Sequence, residues 1–117
     1  MWVIDTGALN FYYNSEYVFN TPRLLIYDLT QNPVALIQNY SFPLDIAQPG
    51  STFLNDIVID VIRDFAFITN SAGNGGIYVY DLSSNSARFW TDTTTEIEPN
   101  GVNFDIVSKC FLNSNSL

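Results

Sequence analysis

The stretch Ile77-Tyr78-Val79-Tyr80-Asp81-Leu82 (IYVYDL) decides how this chain is read, because Leu24-Leu25-Ile26-Tyr27-Asp28-Leu29 (LLIYDL) precedes it by 53 residues. Both runs are rich in β-branched and aromatic side chains, which suit a pleated, half-buried surface. Each copy enters a polar turn, Thr30-Gln31-Asn32-Pro33 or Ser83-Ser84-Asn85-Ser86. Each turn leads into another strand-like run, Val34 to Phe42 or Ala87 to Trp90. Upstream, Trp2-Val3-Ile4-Asp5-Thr6 aligns with Phe67-Ile68-Thr69-Asn70-Ser71 at an offset of 65, so the two offsets differ by 12 residues. The Tyr- and Asn-rich stretch Phe11 to Pro22 absorbs that difference and reads as an insertion into the first copy.

No window sustains apolar residues at three- and four-residue spacing, so little or no helix is expected. The pattern predicts strands over 2–6, 23–29, 34–42, 55–61, 65–70, 76–82 and 87–91. Ile57-Val58-Ile59-Asp60-Val61 is nearly continuous apolar, as expected of a strand covered on both faces. Consecutive short strands repeating every roughly 50 residues are the signature of β-propeller blades. The fold class expected is therefore all-β: a partial β-propeller of about two four-stranded antiparallel blades. Residues 1–43 form an incomplete blade, lacking its innermost strand and carrying a loop insertion over 8–22. Residues 51–92 form a complete blade, and 93–117 a diverged tail or the start of the next blade, with Gly101 to Val107 as a candidate inner strand. A blade packs only against its neighbours, so two alone leave faces and strand edges that invite association or loosen the fold.

Composition narrows the chemistry. Four Lys+Arg against twelve Asp+Glu give a net charge of −8, which disfavours nucleic acid and anionic membrane as partners. No apolar run approaches the roughly 20 residues of a membrane span, and no signal peptide is visible. The chain has no His and a single Cys, Cys110, which excludes an internal disulfide, Ser-His-Asp and Cys-His catalysis and most zinc chemistry. Without a base, Cys110 reads as a buried or unpaired thiol rather than a nucleophile. No self-contained catalytic set emerges, so no catalytic residue is assigned and this chain alone reads as a non-enzyme.

Asp5-Thr6-Gly7 is how a retroviral-type aspartic protease presents its carboxylate, two chains sharing one proton. Asn74-Gly75-Gly76 offers a possible flap, but no apolar-apolar-Gly block follows. The alternative is a blade turn, since the repeat places Asp5 opposite Asn70. There Asp5 and Thr6 cap backbone N–H groups and Gly7 supplies positive φ. Asn55 and Asp56 open the most apolar strand, expected innermost, where such residues face a propeller channel. They either hold Ca²⁺ together with oxygen ligands from other blades or tie the strand to its neighbour through side-chain to backbone bonds. Tyr12, Tyr13 and Tyr17 lie in the insertion and could line an aromatic ligand site. Tyr27, Tyr78 and Tyr80 are expected in packing between blades, and Trp2 and Trp90 in the core. Asn39-Tyr40-Ser41 matches the N-glycosylation pattern. Asp92, Glu96 and Glu98 read as a solvated acidic loop that could also bind a cation.

Six blocks carry a resemblance: Trp2-Val3-Ile4-Asp5-Thr6-Gly7, Pro22 to Leu29, Tyr40-Ser41-Phe42-Pro43, Ser51 to Val61, Phe65 to Ser71 and Gly76 to Leu82. In this order and approximate spacing they resemble the Yellow / major royal jelly protein family, over residues 2 to about 90. The resemblance implies a six-bladed propeller of several hundred residues, of which this chain covers about two blades. It makes the remaining blades and a small molecule the expected partners and the extracellular space the expected location. Among such proteins are dopachrome-converting enzymes of melanin chemistry, salivary binders of biogenic amines, and nutritive or structural proteins. Small-ligand binding, of an amine or catechol-like compound, is the leading expectation, and dopachrome conversion the alternative. Two departures stand out. Asn20-Thr21-Pro22 replaces the family's frequent Cys-Pro-Pro, removing that disulfide, and Asn70 stands where an Asp is usual.

Overall fold

Alternation within the two YDL segments builds the core. In the computed structural model, which describes residues 1–9, 17–18, 20–73 and 75–95, these segments are β4 (Arg23–Asp28) and β8 (Ile77–Asp81). β4 joins β1 (Trp2–Asp5) and β5 (Ala35–Ser41) in an antiparallel three-stranded sheet of order β1-β4-β5. β8 joins β6 (Leu54–Asp60), β7 (Phe65–Asn70) and β9 (Ser86–Trp90) in a four-stranded antiparallel meander, β6-β7-β8-β9. The seven expected strands are all present, their ends shifted by at most one residue. The described residues are all-β, two main sheets arranged as partial propeller blades, with one short 3₁₀ turn at Thr93–Thr95.

The sheets stack face to face. The first contributes Leu24 and Ile26, flanked by Trp2, Ile4 and Tyr40; the second contributes Ala66, Ile68, Tyr78 and Tyr80, flanked by Ile57 and Phe89. Phe42 and Ala47, between the sheets, and Leu54, which opens β6, complete the core. By the 53-residue correspondence Leu24 stands for Ile77 and Leu25 for Tyr78, yet Leu24 and Tyr78 are the buried pair. Equivalent strands thus bury opposite faces, because the two sheets stack in the same orientation and one shows its front to the other's back. Aromatic rings fill the seam. Tyr40 and Tyr80 have centroids 4.9 Å apart, Phe42 and Tyr78 5.1 Å, and Tyr78 and Phe89 4.6 Å.

Aspartates shape the turns in both copies. Asp28 Oδ1 accepts from the N–H and the hydroxyl of Thr30, at 2.9 and 2.7 Å, and Asp81 Oδ1 accepts likewise from Ser83. Asp60 Oδ1 accepts from the N–H groups of Ile62 and Arg63. Asp64 and Asn85 take positive φ, as short polar side chains tolerate.

Four expectations change. The stretch 8–22 is not wholly a loop: β2 (Ala8–Leu9) pairs with β3 (Tyr17–Val18) at its base. β6 is not covered on both faces, for Val58 is 66 % exposed on the side facing away from the first sheet. Trp90 is 51 % exposed on that same open face, because β9 alternates Phe89 inward and Trp90 outward. Tyr27 likewise lies on the first sheet's far side, opposite Leu36, rather than in the seam.

Candidate functional site

At one end of the stack the connection between sheets meets the β7–β8 turn and leaves an open cleft of about 430 Å³. Pro43 starts a tight turn in which Ala47 N–H donates to the Pro43 carbonyl at 2.9 Å, seating Ala47 in the core and leaving Asp45 outside. Asp45, Gln48, Ser51 and Thr52 line one side of the cleft, and the turn residues Asn70, Ala72, Gly73 and Gly75 the other. Tyr78 and Phe89 rise from the sheet between them.

Tyr78 ties the site to the fold. Its hydroxyl donates to the Ile46 carbonyl at 3.0 Å and lies 3.3 Å from Thr52 Oγ1. Burial pushes the phenol's pKa above its ordinary value, against the opposing effect of the Thr52 bond, so it stays neutral and donating. Thr6 donates its hydroxyl to the Thr52 carbonyl at 2.9 Å, joining the first sheet to the same wall. The carboxamide of Asn70 folds the opposite wall. Its Oδ1 accepts from Phe53 N–H at 3.0 Å and Ala72 N–H at 3.3 Å, while Nδ2 donates to the Ala72 carbonyl at 3.0 Å. A carboxylate could not make that last bond, so this turn suits Asn.

Asp5, opposite Asn70 in the repeat, does the corresponding work. Its Oδ1 accepts from Gly7 N–H at 2.9 Å, as Asn70 accepts from Ala72 two residues on. Its Oδ2 pairs with Arg23 Nη2 at 2.5 Å. Burial pushes the Asp5 pKa up, but the Arg23 bond, the Gly7 N–H and the Arg23 charge outweigh it and hold the group below its ordinary 3.8. The Asp5 carboxylate faces a guanidinium, whereas a protease dyad sets two carboxylates against each other. Gly7 takes φ +73°, and a Cβ there would run into the Asn20 carbonyl oxygen. The Asp-Thr-Gly string is thus a turn. Asp5 caps an N–H as expected; Thr6 instead donates to a carbonyl.

The other predicted residues lie apart from the cleft. Asn55 and Asp56 are exposed and sit where the β6–β7 register slips between Leu54 and Ile57. Asp56 N–H donates to Thr69 Oγ1 at 3.1 Å, and Asp56 Oδ1 accepts from Ile57 N–H at 2.8 Å. Among the described residues, no three His, Cys, Asp or Glu gather as a metal-holding group. Tyr17 is placed only through its backbone in β3; Tyr12, Tyr13, Glu96, Glu98, Cys110 and the stretch 101–107 lie outside the described residues. Asp92 caps Thr94 N–H at 3.1 Å, and Asn39 is exposed on β5. Sequence reasoning missed Asp45, Gln48, Ser51 and Thr52, which lie between the strand patterns. Pro43 and Pro49-Gly50 were the available signal of a shaped connection there.

No described helix is long and apolar enough to cross a membrane. No curated protein and no solved structure matches the chain. The sequence profile described as major royal jelly protein matches residues 1–115. With both sheets inside that match, this chain belongs to the major royal jelly protein family.

Proposed function

We propose that this chain is part of a secreted Yellow-like propeller and that its cleft binds a small amine or catechol-like ligand. The observation carrying the reading is the pairing, in one open cleft of about 430 Å³, of the exposed Asp45 carboxylate with the half-buried ring of Phe89, the buried Tyr78 forming the floor. That volume lies within the range of small-molecule sites, roughly 300–1,000 Å³. A protonated amine has a counter-charge in Asp45, and an aromatic ring has the Phe89 ring to lie against. Secretion belongs to the reading because Yellow-like proteins are mostly secreted. Tyr12, Tyr13 and Tyr17 are proposed as a separate aromatic contact. At Asn55 and Asp56, calcium would need oxygen ligands from further inner strands.

Calorimetric titration of the chain with tyramine and with catechol tests the cleft. Both are expected to release heat. Asp45→Asn should weaken tyramine about two- to fivefold, as an exposed charge pair allows, and leave catechol unchanged. Heat-silent titrations with both compounds would remove the reading.

A further inference from the structure

Phe89 owes its place at the cleft to the missing side chain at position 76. Its ring packs against that of Tyr78, with centroids 4.6 Å apart, and its far edge lies against the buried backbone of Gly76. A Cβ on Gly76 would run into that ring edge and stand 2.9 Å from the Trp90 carbonyl oxygen. The backbone there is held as well. Gly76 takes φ +126°, where L side chains rarely go, and its carbonyl accepts from Asn70 N–H at 2.9 Å. A side chain at 76 would therefore displace the ring rather than the strand.

The repeat shows that this seat is no general requirement of the sheet. By the 53-residue correspondence Arg23 stands for Gly76. Asn39 lies opposite Leu25 in the ladder as Phe89 lies opposite Tyr78. The first sheet thus carries a long side chain and no ring at these positions, and Arg23 turns to Asp5. Bare backbone and ring occur together, in the copy whose ring lines the cleft that Asp45 also lines.

We propose that Gly76 sets the specificity of the cleft: by seating the Phe89 ring, it makes the cleft select amines that carry an aromatic ring over alkyl amines. The inference rests on the reading of the cleft as an amine site. Asp45 attracts the ammonium group of either kind of amine and does not separate them. A flat ring held at the wall adds offset stacking that only an aryl group can use, worth about three- to tenfold in affinity. Gly76 itself touches no ligand. It is a positioning residue that acts through Phe89.

Calorimetric titration of the chain with tyramine and with n-butylamine tests this. Tyramine is expected to bind about three- to tenfold more tightly. Phe89→Leu should bring the two affinities together by weakening tyramine alone. Gly76→Ala, with Phe89 still present, should do the same. In the double variant Gly76→Ala should cost tyramine nothing further, because its route to the ligand is the ring. Equal affinity of the wild-type chain for both amines overturns the proposal and leaves the amine site standing. So does an undiminished preference for tyramine in either single variant. A further loss of tyramine in the double variant overturns the role of Gly76 through Phe89. Titrations silent with both amines remove the amine site, and this proposal with it. Should Gly76→Ala lose its strand signal in circular dichroism, proton NMR of the wild-type chain reads the seat. Nuclear Overhauser contacts should join the Gly76 Hα protons to the Phe89 ring protons, and their absence overturns the proposal.

Discussion

Asp5 and Asn70 occupy equivalent turns and solve the same problem with different chemistry. Asp5 pairs with a cation, whereas Asn70 must both accept and donate. Because the Asp5 pKa is depressed in the folded chain, its contribution is complete above the ordinary 3.8 and is lost as pH falls through the depressed value. Asn at position 5 keeps an acceptor for Gly7 but loses the charge pair. Urea midpoints of Asp5→Asn should therefore lie below wild type at neutral pH and converge on it in strong acid; a gap constant with pH would contradict the pairing. Asn70→Asp removes the donor to Ala72 and sets a carboxylate against carbonyl oxygens. It should cost about 1–2 kcal/mol, measured by the same unfolding, with the loss shrinking in acid as the carboxyl regains a proton to donate. The turn roles of Asp5 and Gly7 were legible in sequence, because an Asx turn spans only two residues. The Arg23 partner was not, because it arrives from a strand 18 residues away.

At the scale of elements, β8 is the centre of the molecule. It pairs with β7 and β9 and sends Tyr78 and Tyr80 into the seam, both essentially without solvent contact. Tyr80 also donates its hydroxyl to Asn85 Oδ1 at 3.0 Å, the atom that Gln38 of the other sheet reaches. Tyr80→Ala removes a ring from a packed aromatic cluster and should destabilise the chain by about 3–5 kcal/mol, seen as a large drop in thermal midpoint. A drop no larger than that of an exposed-site control such as Val61→Ala would mean that the seam is not the core. Strand identity was legible because alternation is a local pattern. Which face of each strand is buried was not, since β4 and β8 alternate alike and only the stacking direction separates them.

For the whole molecule, stability and association are coupled. A chain with two open apolar faces gains stability from anything that binds its folded form, a second copy included. The melting temperature of this stretch of chain by itself should therefore climb with protein concentration in scanning calorimetry. A concentration-independent melt of wild type would show that folding needs no neighbour.

The sequence by itself determined the seven strands of the two main sheets, the two-copy repeat, the Asp5 turn and the family, because each rests on residue types and spacings along the chain. Only tertiary structure decided that Leu24 meets the sheet of Tyr78, that Trp90 stands in solvent, that Asn70 must be an amide, and that the connection at 43–53 walls a cleft. Those outcomes depend on which surfaces meet, and contacts between residues far apart in the chain leave no mark in a local pattern.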